Sequence, residues 1–149
     1  ACRHAGVTSA KAVGRARGIG TVDVYVSTPE GVPGQALLTE LQTVFQKSRE
    51  IAVDVQVKAP EAVAVNMTLT VKPAEGTAFE AAKAAVESEL AGFFGGRLLG
   101  QSVKLAELYS RIYALDAVEN CRITLPAADT EISATELPVL GTVSITEEA

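Results

Sequence analysis

The sequence predicts an α/β (α+β) fold of two small modules. Each is a mostly antiparallel sheet of about three strands with helices packed on one face. Three observations carry this. First, Val53, Val55 and Val57 alternate with Asp54, Gln56 and Lys58, and then Val63, Val65, Met67, Leu69 and Val71 alternate with Ala64, Asn66, Thr68, Thr70 and Lys72. Successive side chains of a strand point to opposite faces, so each run has one dry and one wet face. Second, Ala59-Pro60-Glu61 separates the runs. Pro60 has no amide proton and biases Ala59 away from helical geometry, so the two strands belong to different sheets joined by a short link. Third, apolar stripes of helical spacing occur on both sides of this region. The boundary gives a hairpin–helix–strand module over residues 1–59, truncated at its N-terminus, and a strand–helix–helix–strand–strand module over residues 60–149.

Taken in order, Ala1 to Val7 reads as the last turn of a helix, which suggests a piece of a longer protein. Gly6 to Arg17 and Thr21 to Ser27 form a hairpin about Gly18-Ile19-Gly20, with Val22, Val24 and Val26 on one face. The two glycines are not a dinucleotide fingerprint: position 23 is Asp where the third glycine belongs, and a strand follows instead of a helix. Thr28 to Gly34 is a loop on composition. A helix covers Gln35 to Ser48, with Leu37, Leu38, Leu41, Val44 and Phe45 on its stripe, and the strand Ile51 to Lys58 closes the first module.

The second module opens on Ala62 to Lys72. Thr77-Ala78-Phe79-Glu80 fits a capping box for a helix that Gly95-Gly96 ends, with Phe79, Ala82, Val86, Leu90 and Phe93 as its stripe. Lys83 and Glu87 are spaced to pair on its wet side. Ser102 caps a second helix, Val103 to Ala114, striped by Leu105, Leu108, Tyr109 and Ile112, with Glu107 and Arg111 at pairing distance. A strand from Val118 to Leu125 turns Cys121, Ile123 and Leu125 to one side. A polar loop, Pro126 to Thr135, precedes a short closing strand, Thr142 to Thr146. Ala5–Val26 and Asp116–Thr146 share a strand, a loop, Gly-Thr-Val and a second strand. This is either a repeated hairpin or the ordinary likeness of two short hairpins.

The net charge of −5 speaks against a phosphate-binding surface, and the absence of Trp with few other aromatics speaks against base-stacking platforms. No apolar run reaches the length of a membrane span. Cys2 and Cys121 form no metal or redox motif and read as idle thiols, in keeping with a reducing compartment. His4 is the single histidine, which leaves no Ser-His pair beside a nucleophile elbow and no metal-ligand spacing. We therefore assign no catalytic, cofactor-binding or metal-ligating residues and no cofactor. Arg3, His4, Lys11, Arg15 and Arg17 make the N-terminal segment basic within an acidic chain. They form either a solvated hairpin face or a contact for an acidic neighbour.

Three motifs in order carry a family resemblance: Gly18-Ile19-Gly20-Thr21-Val22-Asp23-Val24, then Val55-Gln56-Val57-Lys58-Ala59-Pro60, then Glu136-Leu137-Pro138-Val139-Leu140-Gly141-Thr142-Val143. One helix lies between the first two and two helices precede the third. The chain resembles the C-terminal portion of baseplate J-like proteins, the wedge components of contractile phage tails of the phage Mu type. The resemblance implies a non-enzymatic structural role in the virion tail baseplate, assembled in the bacterial host cytoplasm. Its implied partners are wedge and hub proteins and copies of itself, with no nucleic acid, membrane or small-molecule substrate. It also raises a conformational role in tail contraction, with Ala59-Pro60 as the joint. The rival readings are a small-molecule-binding regulatory α/β module, an RNA-recognition-like domain and an enzyme. The first needs a glycine-rich loop converging with polar side chains, the second aromatics aligned on strands, and the third a catalytic constellation. None of these stands in the sequence.

Overall fold

The computed structural model describes residues 3–49 and 52–148. Ala1, Cys2 and Ile51, and with them parts of the expected helix end and of the third strand, lie outside the described residues. The elements are β1 (Ser9–Gly14), β2 (Thr21–Ser27), α1 (Gln35–Ser48), β3 (Asp54–Lys58), β4 (Glu61–Pro73), α2 (Phe79–Phe93), α3 (Leu105–Tyr113), β5 (Val118–Leu125) and β6 (Glu136–Glu147). They build two three-stranded sheets, ordered β1-β2-β3 and β5-β4-β6. This is the expected α+β fold in two small modules, with β3 and β4 in different sheets on either side of Ala59-Pro60. No helix is long and apolar enough to cross a membrane among the described residues.

The pairing is mixed rather than mostly antiparallel. β1 and β2 form the antiparallel hairpin, but β2 and β3 run parallel. β4 is antiparallel to β5 and parallel to β6. The reason is connection length: a helix between two strands of one sheet returns the chain in the same direction, as α1 does between β2 and β3. Of the two readings of the likeness between Ala5–Val26 and Asp116–Thr146, the repeated hairpin is not realised. β1 and β2 pair directly, whereas β5 and β6 flank β4 without pairing to each other.

β4 carries the larger core. Val65, Met67, Leu69 and Val71 are buried against Ala82, Val86, Leu90 and Phe93 of α2 and Leu108 and Ile112 of α3. Two bulges set which residues of β5 join them. Between Thr68 and Leu69 the register to β5 slips by one residue, so Leu125 pairs with the outward Thr68 and is exposed, not inward with Ile123 as alternation predicts. The second slip, at Lys72/Pro73, brings Val118 inward.

β6 is longer than the short strand expected, because Pro138 is accommodated within it. β6 is an edge strand, and Glu61 N–H donates to the Thr135 carbonyl while Gly100 N–H donates to that of Glu136. Odd-numbered positions therefore face β4 in this half, and the nitrogen of Pro138 faces away from the ladder. At Val65/Met67 the phase slips. Asn66 Oδ1 accepts from Thr142 N–H at 3.0 Å and satisfies the bulge.

Helix starts differ from the sequence expectation. α2 begins at Phe79 with Ala78 at the cap position, which leaves Thr77 one residue too early to close a capping box. α3 begins at Leu105, and Asp129 in the following loop accepts from its amide at 2.9 Å. Ser102 instead bridges Glu131 (3.0 Å) and the Ile132 amide (3.1 Å). Neither the Lys83/Glu87 nor the Glu107/Arg111 pair forms; Arg111 reaches Glu89 on α2 at 3.3 Å. In the first module α1 buries only Leu41 fully, with Leu37, Leu38 and Phe45 packed partway against Val24, Val26 and Val55. Val44 is 46% exposed, because a three-stranded sheet is narrower than the stripe.

Met67 and Leu69 are wholly buried at the centre of the larger core. Leu69→Ala is expected to lower the unfolding free energy by about 2–5 kcal/mol in denaturant titrations, whereas Thr68→Ala on the opposite face is expected to change it by less than about 0.5 kcal/mol.

Candidate interaction surfaces

The β1–β2 hairpin is locked at its tip. Arg15 N–H donates to Thr21 O at 2.7 Å, and the Thr21 hydroxyl donates to Gly18 O at 2.7 Å while accepting from Arg17 N–H at 3.1 Å. Arg15 sits in the left-handed region at φ 60°, unusual for a side chain of this size. This geometry presents Ile19, 93% exposed, at the apex.

Below the tip lies a residue that hydrophobic patterning misses. Asp23 alternates out of the valine stripe of β2 and so reads as wet, yet it is only 1% exposed. Arg17 Nε donates to its Oδ1 at 2.7 Å and Lys58 Nζ to its Oδ2 at 2.5 Å. Arg17 also clasps the carboxylate of Asp54 on β3 through Nη1 and its carbonyl through Nη2. The hydrogen bond from Lys58 holds the Asp23 carboxyl below the usual carboxylate range, against the opposing effect of burial and with further help from Arg17. One carboxylate on the central strand thus ties the hairpin tip to both β2 and β3. The available signal was Asp23 on a central strand with a cation six residues before it.

This corrects the reading of the basic segment. Arg17 is engaged by the chain's own acids, His4 Nε2 lies 3.0 Å from Glu40 Oε1, and only part of the cluster remains for a neighbour. Arg3 and His4 border a groove of about 260 Å³ against Leu41, Val44, Phe45 and Ser48 of α1. Among the described residues no three His, Cys, Asp or Glu side chains gather as a metal site would require. Cys121 is a buried free thiol whose pKa burial pushes up, in keeping with an inert role.

The modules meet where Ser27 ends β2. Its hydroxyl, fully buried, donates at 2.5 Å to the carbonyl of Gly96, in the turn that follows α2. Gly96 has φ +82°, and a Cβ there would run into the Thr28 carbonyl. Glycine alone takes this backbone conformation without strain and permits this close approach.

Two sheet edges are sealed by side chains from the helix beside them. Along β3, Gln42 accepts from Val57 N–H (2.7 Å) and donates to Val55 O (2.8 Å), while Arg49 donates to Val53 O (2.8 Å). Along β5, the Tyr113 hydroxyl donates to Cys121 O (3.1 Å) and the Tyr109 hydroxyl accepts from Ile123 N–H (3.0 Å). These groups occupy the positions a further strand would use.

Asp23→Ala removes two charge-assisted hydrogen bonds from a buried site and is expected to cost about 1.5–3 kcal/mol in denaturant titrations. Because the folded-state pKa of Asp23 is depressed, its contribution is fully present above the ordinary carboxylate range and is lost as pH falls through the folded value. Acid titration of the wild type should therefore show a loss of stability below about pH 4 that Asp23→Ala lacks in part.

A search of curated proteins finds no match to this chain. A scan of protein families does: the family model of the baseplate J-like protein C-terminal domain matches residues 65–146. That range runs from within β4 through α2, α3 and β5 to Thr146, near the end of β6, which is nearly the whole second sheet with both its helices. The match spans more than half of the chain, and the chain belongs to the baseplate J-like protein family, structural components of the phage tail baseplate.

Proposed function

We propose that the chain is the C-terminal portion of a wedge protein of a contractile phage or prophage tail baseplate of the phage Mu type. The observation that carries this is the family match over residues 65–146. In this reading its work is geometric and not catalytic: it holds neighbouring wedge and hub proteins, and copies of itself, in fixed relation. It takes no cofactor, metal, nucleic acid, lipid or small-molecule substrate, and it assembles in the cytoplasm of the bacterial host. Residues 1–59 and 60–149 are its two modules.

They act as one rigid block, not as two bodies swinging about Ala59-Pro60. In support, Pro60 is buried and the Ser27–Gly96 hydrogen bond pins the sheets together away from the link. A buried hydroxyl–carbonyl bond resists opening because separation leaves its groups unpaired until water reaches them.

Two experiments bear on this. Immunogold labelling of a tagged full-length protein in purified tails is expected to mark the end of the tail distal to the head; tails without label would refute the role. Gly96→Ala forces a Cβ onto the Thr28 carbonyl. It is expected to lower stability by about 1–3 kcal/mol and to speed amide exchange at Thr28 and Gly31, whereas Gly34→Ala, where the added methyl meets open space, should do neither.

A further inference from the structure

The four edge strands are treated unequally. β3 and β5 are sealed by glutamine, arginine and tyrosine side chains, but β1 and the second half of β6 are not. Arg15 N–H bonds to Thr21 O, so by antiparallel alternation Ala10, Ala12 and Gly14 turn their backbone groups away from β2. In β6 the Glu148 amide donates to Val71 O. After the bulge, then, even-numbered positions face β4, and Val143, Ile145 and Glu147 present their N–H and C=O groups outward. The first half of β6 is blunted by Pro138 and by Gly100. Among the described residues nothing bonds to the outward groups of Ala10, Ala12, Gly14, Val143, Ile145 or Glu147. The two open edges are similar in length and opposite in charge. Beside β1 stand Lys11 and Arg15, neither in an ion pair among the described residues; at the end of β6 stands the exposed Glu147, while Glu148 turns back across the sheet to accept from Asn120 of β5 at 3.1 Å.

We propose that the β1 edge of one copy pairs with the β6 edge of the next, so that copies of this chain join head to tail through a continuous sheet. Such a contact is heterologous: it uses two different patches and propagates into a ring or a filament. Backbone hydrogen bonds supply the attraction, and the opposite charges select β1 against β6 over either edge against itself. The inference gives a specific form to the self-association in the function above. It is tested on the chain alone, so its failure leaves the baseplate role standing.

One short strand pair buries little area, and the isolated contact is expected to be weak. Sedimentation of the wild type from about 10 µM to about 1 mM should show reversible association. Ala12→Pro deletes an outward N–H without touching the β1–β2 ladder and should abolish it, with an unchanged circular dichroism spectrum. Lys11→Glu/Arg15→Asp in one protein and Glu147→Lys in another should each weaken association by about tenfold or more. An equimolar mixture of the two should restore it, because each reversed edge then meets its complement. Amide exchange in the associated state should slow at Ala12 and Ile145 together. A wild type that stays monomeric throughout the range overturns the proposal. So does protection at Ala12 without Ile145, which means a two-fold β1–β1 contact, or a mixture that associates no better than its components.

Discussion

β4 is the constraint on which the second module depends. It is hydrogen-bonded along both sides, antiparallel to β5 and parallel to β6, and its odd-numbered side chains from Val65 to Val71 are the floor of the core. A strand in that position has no freedom to slip, because a one-residue shift would turn four buried side chains into solvent and bring Asn66, Thr68, Thr70 and Lys72 beneath the helices. The bulges are how its neighbours adjust to it. Where β5 and β6 cannot keep phase with β4, they take up the mismatch, and Asn66 covers the unpaired amide that results on β6.

The same logic at smaller scale governs the first module, where a central strand is held between a hairpin partner and a parallel neighbour. Its hydrophobic layer is thin, with four buried apolar residues: Leu41 of α1 and Val24, Val26 and Val55 beneath it. The opposite face makes up part of the deficit with a charge. Asp23, drawn out of water between Arg17 and Lys58, joins the hairpin tip, β2 and β3 through one carboxylate. Replacing such a cluster with apolar side chains can be neutral for stability; removing one member is not, because the remaining partners lose their counter-charge. Geometry gives it a further effect: the arginine that neutralises Asp23 also fixes the direction in which the Ile19 tip points.

Much of this fold was legible because alternation and helical stripes report burial directly. The Val63–Val71 run, the α2 stripe of Ala82, Val86, Leu90 and Phe93, and the proline that divides the sheets are each local patterns with one physical meaning. What escaped notice depends on contacts distant in sequence. The direction of β6 relative to β4 is decided by a second reversal after β5, where the loop from Pro126 to Thr135 carries the chain to the other edge of β4. Leu125 faces solvent because of a bulge that no residue in β5 announces. The α3 amide is capped by Asp129, 24 positions downstream, and not by the nearby Ser102. Asp23 obeys the rule that polar residues alternate with apolar ones, and that rule cannot tell a solvated carboxylate from one buried by two long cationic side chains folded over it. The polar residues that seal the edges, Gln42 and Tyr113, read as ordinary helix-surface positions for the same reason.

Edge treatment links this architecture to assembly. An unsealed strand edge is a hazard for a free monomer, since it templates pairing with any extended chain. This protein commits Gln42, Gln46 and Arg49, from α1 and its C-terminal flank, to β3, and Tyr109 and Tyr113 of α3 to β5. Both sealed edges lie next to a helix that can reach them. β1 and β6 lie at the opposite sides of their sheets, out of reach of α1 and α3, and there the chain relies on other devices: small residues and two cations on β1, a proline and a bulge on β6. Charge deters like edges while admitting unlike ones, so it protects the free chain from self-pairing in register without closing the surface to the correct neighbour. For a structural component of a baseplate that distinction matters more than added stability, because it bears on which contacts an edge admits.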